Sequence, residues 1–266
     1  MDLQLKGKVA LIAGGSRGIG KAIATQLALE GADIVLAART KDRLDAAAAE
    51  IAAKTGRKVI GIVVNTGDDA SVKAMGEQAI AAMGHVDILV NAAAEPGGYA
   101  PTPTLADVKR DFVDEEMNIK VTGYIRCAQA VVPSMKASGW GRIVNISGLA
   151  ARQTGNIVGS MRNVAVSALS KNLADELGPF GINVVCVHPG GTVTERTMPA
   201  MIERAQRDNT TPEALMKRMA DGNSIKHAVT AEEVAHVVTF LCSPLSIAIN
   251  GETIAAGGGA PRAIYY

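Results

Sequence analysis

The sequence predicts one α/β domain spanning residues 1–266, a doubly wound parallel sheet with helices on both faces. Three observations carry this. Short apolar, β-branched runs alternate along the chain with alanine-rich stretches long enough for crossover helices. The interiors of those runs are continuously apolar, as in parallel strands covered on both sides. No linker, repeat or low-complexity segment interrupts the rhythm. Crossovers of this kind are right-handed, so a doubly wound sheet follows.

Strands are expected at Lys8–Ala13, Asp33–Ala38, Val59–Val64, Ile88–Asn91, Arg142–Ile146 and Asn183–His188, with a last one near Glu252–Ala255. Crossover helices are expected at Gly20–Glu30, Lys41–Lys54 and Ser71–Met83. Residues 195–229 break the rhythm with a polar, helical insertion. Thr211-Pro212-Glu213 is a helix start, with Thr as cap and Pro in the first turn. Thr230-Ala231-Glu232-Glu233 is a capping box for the next helix. An insertion at the C-terminal end of a strand is placed to cover a ligand crevice, so 195–229 is expected to act as a substrate lid. Met198, Met201, Met216 and Met219 either line its inner side or pack it onto the body.

Of 266 residues, 48% are hydrophobic and 20% charged, the composition of a folded globule. Lys+Arg number 27 against 26 Asp+Glu, a net charge of +1. That balance offers no basic face for a polyanion and argues against nucleic acid as the main partner. No apolar run approaches the roughly 18 residues of a spanning helix. Met1 to Lys8 is polar and leads straight into a strand, so no signal peptide is read and a cytoplasmic location is expected. Cys127, Cys186 and Cys242 are far apart and support neither a disulfide framework nor a metal site.

Gly14-Gly15-Ser16-Arg17-Gly18-Ile19-Gly20 follows the first strand and opens the first helix. Glycines there allow a tight turn and bring backbone N–H groups close to a pyrophosphate, the pattern of a Rossmann-type dinucleotide site. The second strand ends Leu36-Ala37-Ala38-Arg39. Ala38 takes the place of the acidic residue that would hold a ribose 2′-hydroxyl, and Arg39 follows it. Arg17 adds a second cation at a helix N-terminus, an unfavourable place for one unless an anion lies nearby. These features predict NADP(H) over NAD(H). The alternative is two solvated surface arginines.

The glycine motif resembles that of the short-chain dehydrogenase/reductase family, and later segments follow the same order. Asp87-Ile88-Leu89-Val90-Asn91-Ala92-Ala93-Ala94 is similar to the family's fourth-strand motif, implying cofactor contacts from Asn91 and Ala93. Asn65-Thr66 sits where the family places an Asp beside the adenine. Asn118, in Met117-Asn118-Ile119-Lys120, matches the helix Asn that supports the family's proton relay. Ser147 matches the Ser that orients the substrate carbonyl. The segment His188-Pro189-Gly190-Gly191-Thr192-Val193-Thr194 resembles the one that holds the nicotinamide amide, which implies roles for Pro189, Gly190, Thr192 and Thr194.

One departure stands against these matches. The family carries Tyr-x-x-x-Lys about a dozen residues after the Ser; here the stretch reads Gly159-Ser160-Met161-Arg162-Asn163. Gly159 takes the Tyr place and Asn163 the Lys place. The four tyrosines are Tyr99, Tyr124, Tyr265 and Tyr266, so no register slip supplies one. Losing a positioned acid costs roughly 10²–10⁴ in rate, whereas hydride delivery depends mainly on orientation. Asn163 could bond a ribose hydroxyl without a charge, and Gly159 leaves a hole where a ring would sit. Arg152, Arg162 and His188 are candidate replacement partners, with Arg162 expected on the helix surface and His188 in a strand-end backbone role. A tail bearing Tyr265 and Tyr266 could reach a neighbouring subunit's cleft.

Val164, Ala165, Ala168, Leu169 and Leu173 lie at helical spacing after Gly159. The resemblance implies that this helix builds a homo-oligomer, a dimer or tetramer; an internal core stripe explains the pattern as well. Three functional readings follow. The first is an NADP(H)-dependent oxidoreductase that interconverts a carbonyl and an alcohol on a small-molecule substrate, using Ser147, Asn118 and Asn163. The second is a catalytically silent NADP(H)-binding sensor or partner subunit. The third is a non-redox enzyme reusing the crevice. Residues 95–103, 149–158 and 195–229 are the expected pocket-forming loops.

Overall fold

Seven parallel strands form one sheet in the computed structural model, which describes residues 1–94, 103–261 and 264. They are β1 (Val9–Ala13), β2 (Asp33–Ala38), β3 (Val59–Val63), β4 (Ile88–Asn91), β5 (Gly141–Ile146), β6 (Ile182–Pro189) and β7 (Thr253–Ala256). Their order across the sheet is β3-β2-β1-β4-β5-β6-β7, so the chain winds one way from β1 to β3 and the other way from β4 onward. Ala13 at the end of β1 stands level with Ala37 of β2 and Asn91 of β4. Neighbouring C-terminal strand ends therefore meet where the winding reverses, the place at which such sheets bind ligands.

The helices are α1 (Gly18–Leu29), α2 (Lys41–Thr55), α3 (Asp69–Met83), α4 (Arg110–Met117), α5 (Gly123–Ser138), α6 (Ile157–Leu177), α7 (Thr197–Arg207), α8 (Pro212–Asp221) and α9 (Ala231–Cys242). Strand side chains alternate between two cores. Ala10, Ile12, Ile34 and Leu36 pack with Ile23 and Leu27 of α1, Leu44 of α2 and Val234 of α9. Leu11, Val35, Leu89 and Ile143 pack on the other face with Met75 of α3, Val131 of α5 and Ala174 of α6. Each large side chain buried in this way contributes about 1.5–3 kcal/mol. The edge strands differ: β3 and β7 are covered only in part, and Val63 is half-exposed.

Local signals fix the helix starts. Thr211 Oγ1 accepts the Ala214 N–H at 3.2 Å, with Pro212 beginning α8. Thr230 and Glu233 close a capping box on α9. Asn156 Oδ1 accepts the Gly159 N–H at 2.7 Å and starts α6. Between α4 and α5 the chain makes a π-helical turn, Asn118–Thr122, rather than continuing as regular helix. Such turns break the i→i−4 ladder and redirect the side chains within them.

The buried face of α6 is Val158, Gly159, Arg162, Asn163, Val166, Ser170, Ala174 and Leu177. Of the expected stripe, Val164 is about half-exposed and Ala168 exposed, whereas Leu169 and Leu173 are partly buried and pack against the core. Arg162 corrects its expected surface position: it points inward and pairs with Glu116 of α4, both 8% exposed. It turns inward because that carboxylate lies within the fold to receive it.

Candidate active site

A cleft of about 880 Å³ opens along the C-terminal ends of the strands. Its floor at one end is the turn from β1 into α1. Gly14 has φ +85°, and a Cβ there would lie 2.7 Å from the Ala92 and Ala93 backbone. A Cβ on Gly20 would lie 2.2 Å from the Gly14 carbonyl oxygen. Only glycine fits either place, and the close packing leaves the α1 N-terminus open to the cleft. Arg17 takes the cap position with no acidic residue in the first turn. The Gly18 N–H instead donates to both carboxylate oxygens of Glu195, at 3.0 and 3.2 Å. An anion does sit at this helix end, and it belongs to the chain itself.

Ser16, Ile19, Ala38, Arg39 and Arg43 continue this wall, with Asn65 and Thr66 at the end of β3. Asn65 Oδ1 accepts the Gly67 N–H at 3.1 Å, which fixes that turn. Ala93, Pro189, Gly190, Thr192 and Thr194 also line the cleft. Two expected residues lie behind it. Asn91 is fully buried, its amide donating to Asn145 Oδ1 at 2.9 Å, and Asn145 donates on to Ser170. Asn118 donates to the Gly67 carbonyl at 3.1 Å, and its own carbonyl accepts from Arg126 at 3.2 Å.

The insertion closes at its base, where the Val193 N–H donates to the Val229 carbonyl at 2.8 Å. Ala200, Met201 and Arg204 of α7 and Leu215, Arg218 and Met219 of α8 line the adjoining end of the cleft. Met201 also packs against Ala205, Leu215, Met216 and Met219, so lining and packing coincide. Met198 is half-exposed. Residues 95–102 and Tyr265 and Tyr266 lie outside the described residues.

At the middle of the cleft, Ser147 follows β5 and Asn163 faces it from α6. Ser147 Oγ donates to the Asn163 carbonyl at 2.9 Å. Gly159 lies one turn before Asn163. A Cβ on Gly159 would come 2.7 to 2.9 Å from the side-chain atoms of Asn156, so the capping amide fills the space next to that backbone and the expected hole is partly closed. Between Ser147 and Asn163 comes a residue the sequence reading passed over. Lys120, on the π-helical turn, is 4% exposed and lines the cleft. Its Nζ donates to Asn163 Oδ1 at 2.8 Å and to the Ser147 carbonyl at 3.1 Å.

Burial draws the Lys120 ammonium down to about 8, with Cys186 opposing the shift. His188 is 1% exposed and exchanges a hydrogen bond with Ser167 Oγ at 2.9 Å. Burial, then Arg152 and Lys120, push it down to about 4, so it is neutral at physiological pH. Tyr124 is buried, donates to the Ile146 carbonyl at 2.9 Å, and burial raises its phenol well above the ordinary value. Lys120 was legible from spacing: positions 116, 120, 124, 127, 131 and 135 form the inward face of this helical stretch, and lysine stands on that stripe.

The family model described as short chain dehydrogenase matches residues 8–205. The chain is 32% identical to the 3-oxoacyl-(acyl-carrier-protein) reductase FabG of Aquifex aeolicus over 261 residues, 97% of this chain and 99% of that protein. Among solved structures, L-sorbose reductase from Gluconobacter frateurii, complexed with NADPH and L-sorbose, superposes with a TM-score of 0.93. It is 31% identical and covers 99% of this chain and 100% of that one. YwfH, an NADPH-dependent reductase involved in bacilysin biosynthesis, gives a TM-score of 0.87 at 29% identity, with 97% and 99% covered. Matches that run the length of the chain, on a sheet with this winding and a glycine turn at its reversal, leave one conclusion: the chain belongs to the short-chain dehydrogenase family.

Proposed function

We propose that the protein is an NADP(H)-dependent oxidoreductase that interconverts a carbonyl and an alcohol, with an atypical reaction centre. The observation that carries it is the shared cleft: the glycine turn and Arg17, Arg39 and Arg43 line one end, and Ser147 lines the middle. The residues suit the cofactor. Gly14 and Gly20 leave no room for a Cβ, so a pyrophosphate can approach the backbone, and the Gly18 N–H, which donates to the Glu195 carboxylate, suits an anionic partner. Guanidinium groups beside Ala38 suit a 2′-phosphate, which forms charge-assisted bonds worth about 1.5–3 kcal/mol each. The NADPH-bound sorbose reductase and the NADPH-dependent YwfH support the same choice.

When bound, NADPH supplies hydride to a carbonyl carbon. The chain's part is to hold the acceptor beside that hydride and to place Ser147 near the carbonyl oxygen. Gly159 brings no side chain to this centre and Asn163 brings an amide, which is what makes it atypical. Helices α7 and α8 act as the lid that excludes water from the substrate end. The half-exposed Met161 and Val164 on α6 support a homo-oligomer built on that helix, and light scattering at several protein concentrations tests this. Calorimetric titration with NADPH and NADH tests the main reading: tight NADPH and weak NADH binding are expected. Comparable constants would refute the arginine argument, and absence of both would refute the oxidoreductase. Cofactor binding without turnover of any carbonyl would favour the silent cofactor-binding protein.

A further inference from the structure

We propose that Lys120, seated by Asn163 Oδ1 and the Ser147 carbonyl on the cleft wall, is the group that exchanges a proton with the substrate oxygen. This rests on the oxidoreductase reading. In reduction, hydride makes the new C–H bond at the carbonyl carbon. The electron pair of the C=O π bond moves to oxygen and takes a proton from the Lys120 ammonium. The neutral amine left behind is recharged from water. Alcohol oxidation runs the same transfers in reverse.

The cleft offers few other groups able to do this. Among its described lining residues Lys120 is the only amine; the other cations are arginines, whose guanidinium does not give up a proton. Ser147 has a hydroxyl that ionises too high to serve alone. His188 is held neutral and engaged with Ser167. The Tyr124 phenol is spent on the Ile146 carbonyl.

Geometry fixes Lys120 in place. Asn163 and the Ser147 carbonyl take two of its three N–H directions, and Ser147 Oγ is tied to the same Asn163 through the backbone. Asn163 is therefore a positioning residue. Its amide oxygen accepts from the ammonium, so it holds the cation without quenching it as a carboxylate would. The π-helical turn delivers the side chain to this point.

The groups that bond Lys120 or feel its charge are Asn163 of α6, Ser147 after β5, and Cys186 and His188 of β6; Glu116 and Tyr124 are buried on its own helical stretch, and Arg162 of α6 is paired with Glu116. The carboxylate nearest in sequence, Glu116, is paired with Arg162. Burial with little charge compensation lowers the ammonium to about 8, where a lysine both gives and regains a proton near neutral pH.

The test uses the full chain with NADPH and L-sorbose, an acetoacetyl thioester and simple aldehydes. Reduction by the wild type is expected to fall, and alcohol oxidation to rise, through an inflection near pH 8. Lys120→Met should lower kcat by roughly 10²–10⁴-fold, leave the KM for NADPH within a few-fold, and lose the inflection. Lys120→Arg, which keeps the charge, should behave likewise and serves if the Met variant fails to fold. A second readout needs no turnover: carbon-13 NMR of the lysine ε-methylenes in the ligand-free protein should show one signal titrating near pH 8. It should be missing in Lys120→Met and displaced in Asn163→Leu. An ordinary lysine titration, or wild-type kcat and pH profile in Lys120→Met, overturns the proposal alone. NADPH binding with no turnover in the wild type overturns it together with the oxidoreductase reading.

Discussion

Replacing Glu116 by Gln keeps the side chain's shape and removes its charge, leaving the buried Arg162 guanidinium without that counter-ion. Both residues are 8% exposed, so water screens the pair little. At a charge separation of about 4 Å and an effective dielectric near 20, the attraction is about 4 kcal/mol. Breaking one side of such a pair typically costs about 3–5 kcal/mol. The Gln oxygen still accepts a hydrogen bond from the guanidinium, so a loss of about 2–4 kcal/mol is expected for Glu116→Gln. Urea unfolding followed by circular dichroism, at fixed protein concentration, measures it. The double variant Glu116→Leu, Arg162→Met is the decisive comparison, because removing both charges also removes the desolvation that each demands. It should be more stable than Glu116→Gln. A single variant within 1 kcal/mol of wild type, or a double variant weaker than Glu116→Gln, would refute the account of Arg162 as a buried, Glu116-held cation.

Three further outcomes are expected. Arg39→Leu should weaken NADPH binding by about 10- to 100-fold and leave NADH within about twofold, read by calorimetry, since one charge-assisted bond to a phosphate is lost. Glu195→Gln should tighten NADPH several-fold, because the native carboxylate holds the Gly18 N–H and repels a pyrophosphate there; unchanged or weaker binding would count against this. The third concerns pH. Lys120 titrates near 8 when folded and near 10.5 when unfolded, so between these values the unfolded chain binds the extra proton and stability rises with pH. Wild type should gain up to about 3 kcal/mol relative to Lys120→Met between pH 8 and 10.5, and a flat difference would show an unperturbed lysine.

The strands were legible because both-face burial leaves uninterrupted apolar runs, and β2 and β4 fall on their expected residues. The boundaries that moved did so by a residue or two at strand ends, where pairing with a neighbour rather than side-chain pattern decides. The glycine turn was legible because its glycines cluster between a strand and a helix and Gly20 answers to Gly14 close by, although the contact that requires Gly14 comes from the distant Ala92 and Ala93 backbone. Arg162 was expected on the helix surface, and Lys120 was passed over although it stands on a legible inward stripe; what the sequence hid in both was the partner. Each is buried through a partner far away in sequence, Glu116 at 46 residues and Asn163 at 43, and no local pattern reports such a partner. Glu195 at the α1 N-terminus is more remote still, 177 residues from Gly18.

Asn156 has a consequence for how this chain can change. Its side chain both starts α6 and stands where any side chain at position 159 would have to begin. A single mutation that puts an aromatic ring at 159 must push that amide away and lose the cap, a loss of about 1 kcal/mol, before the ring does any chemistry. A mutation of Asn156 alone loses the cap and adds nothing. A stepwise introduction of a phenol at this place therefore crosses a less stable intermediate whichever step comes first. With Asn163 holding Lys120, a lysine at 163 would also bring two ammonium groups together. Position 159 is thus held as glycine by its neighbour Asn156, and position 163 is tied to the lysine it seats.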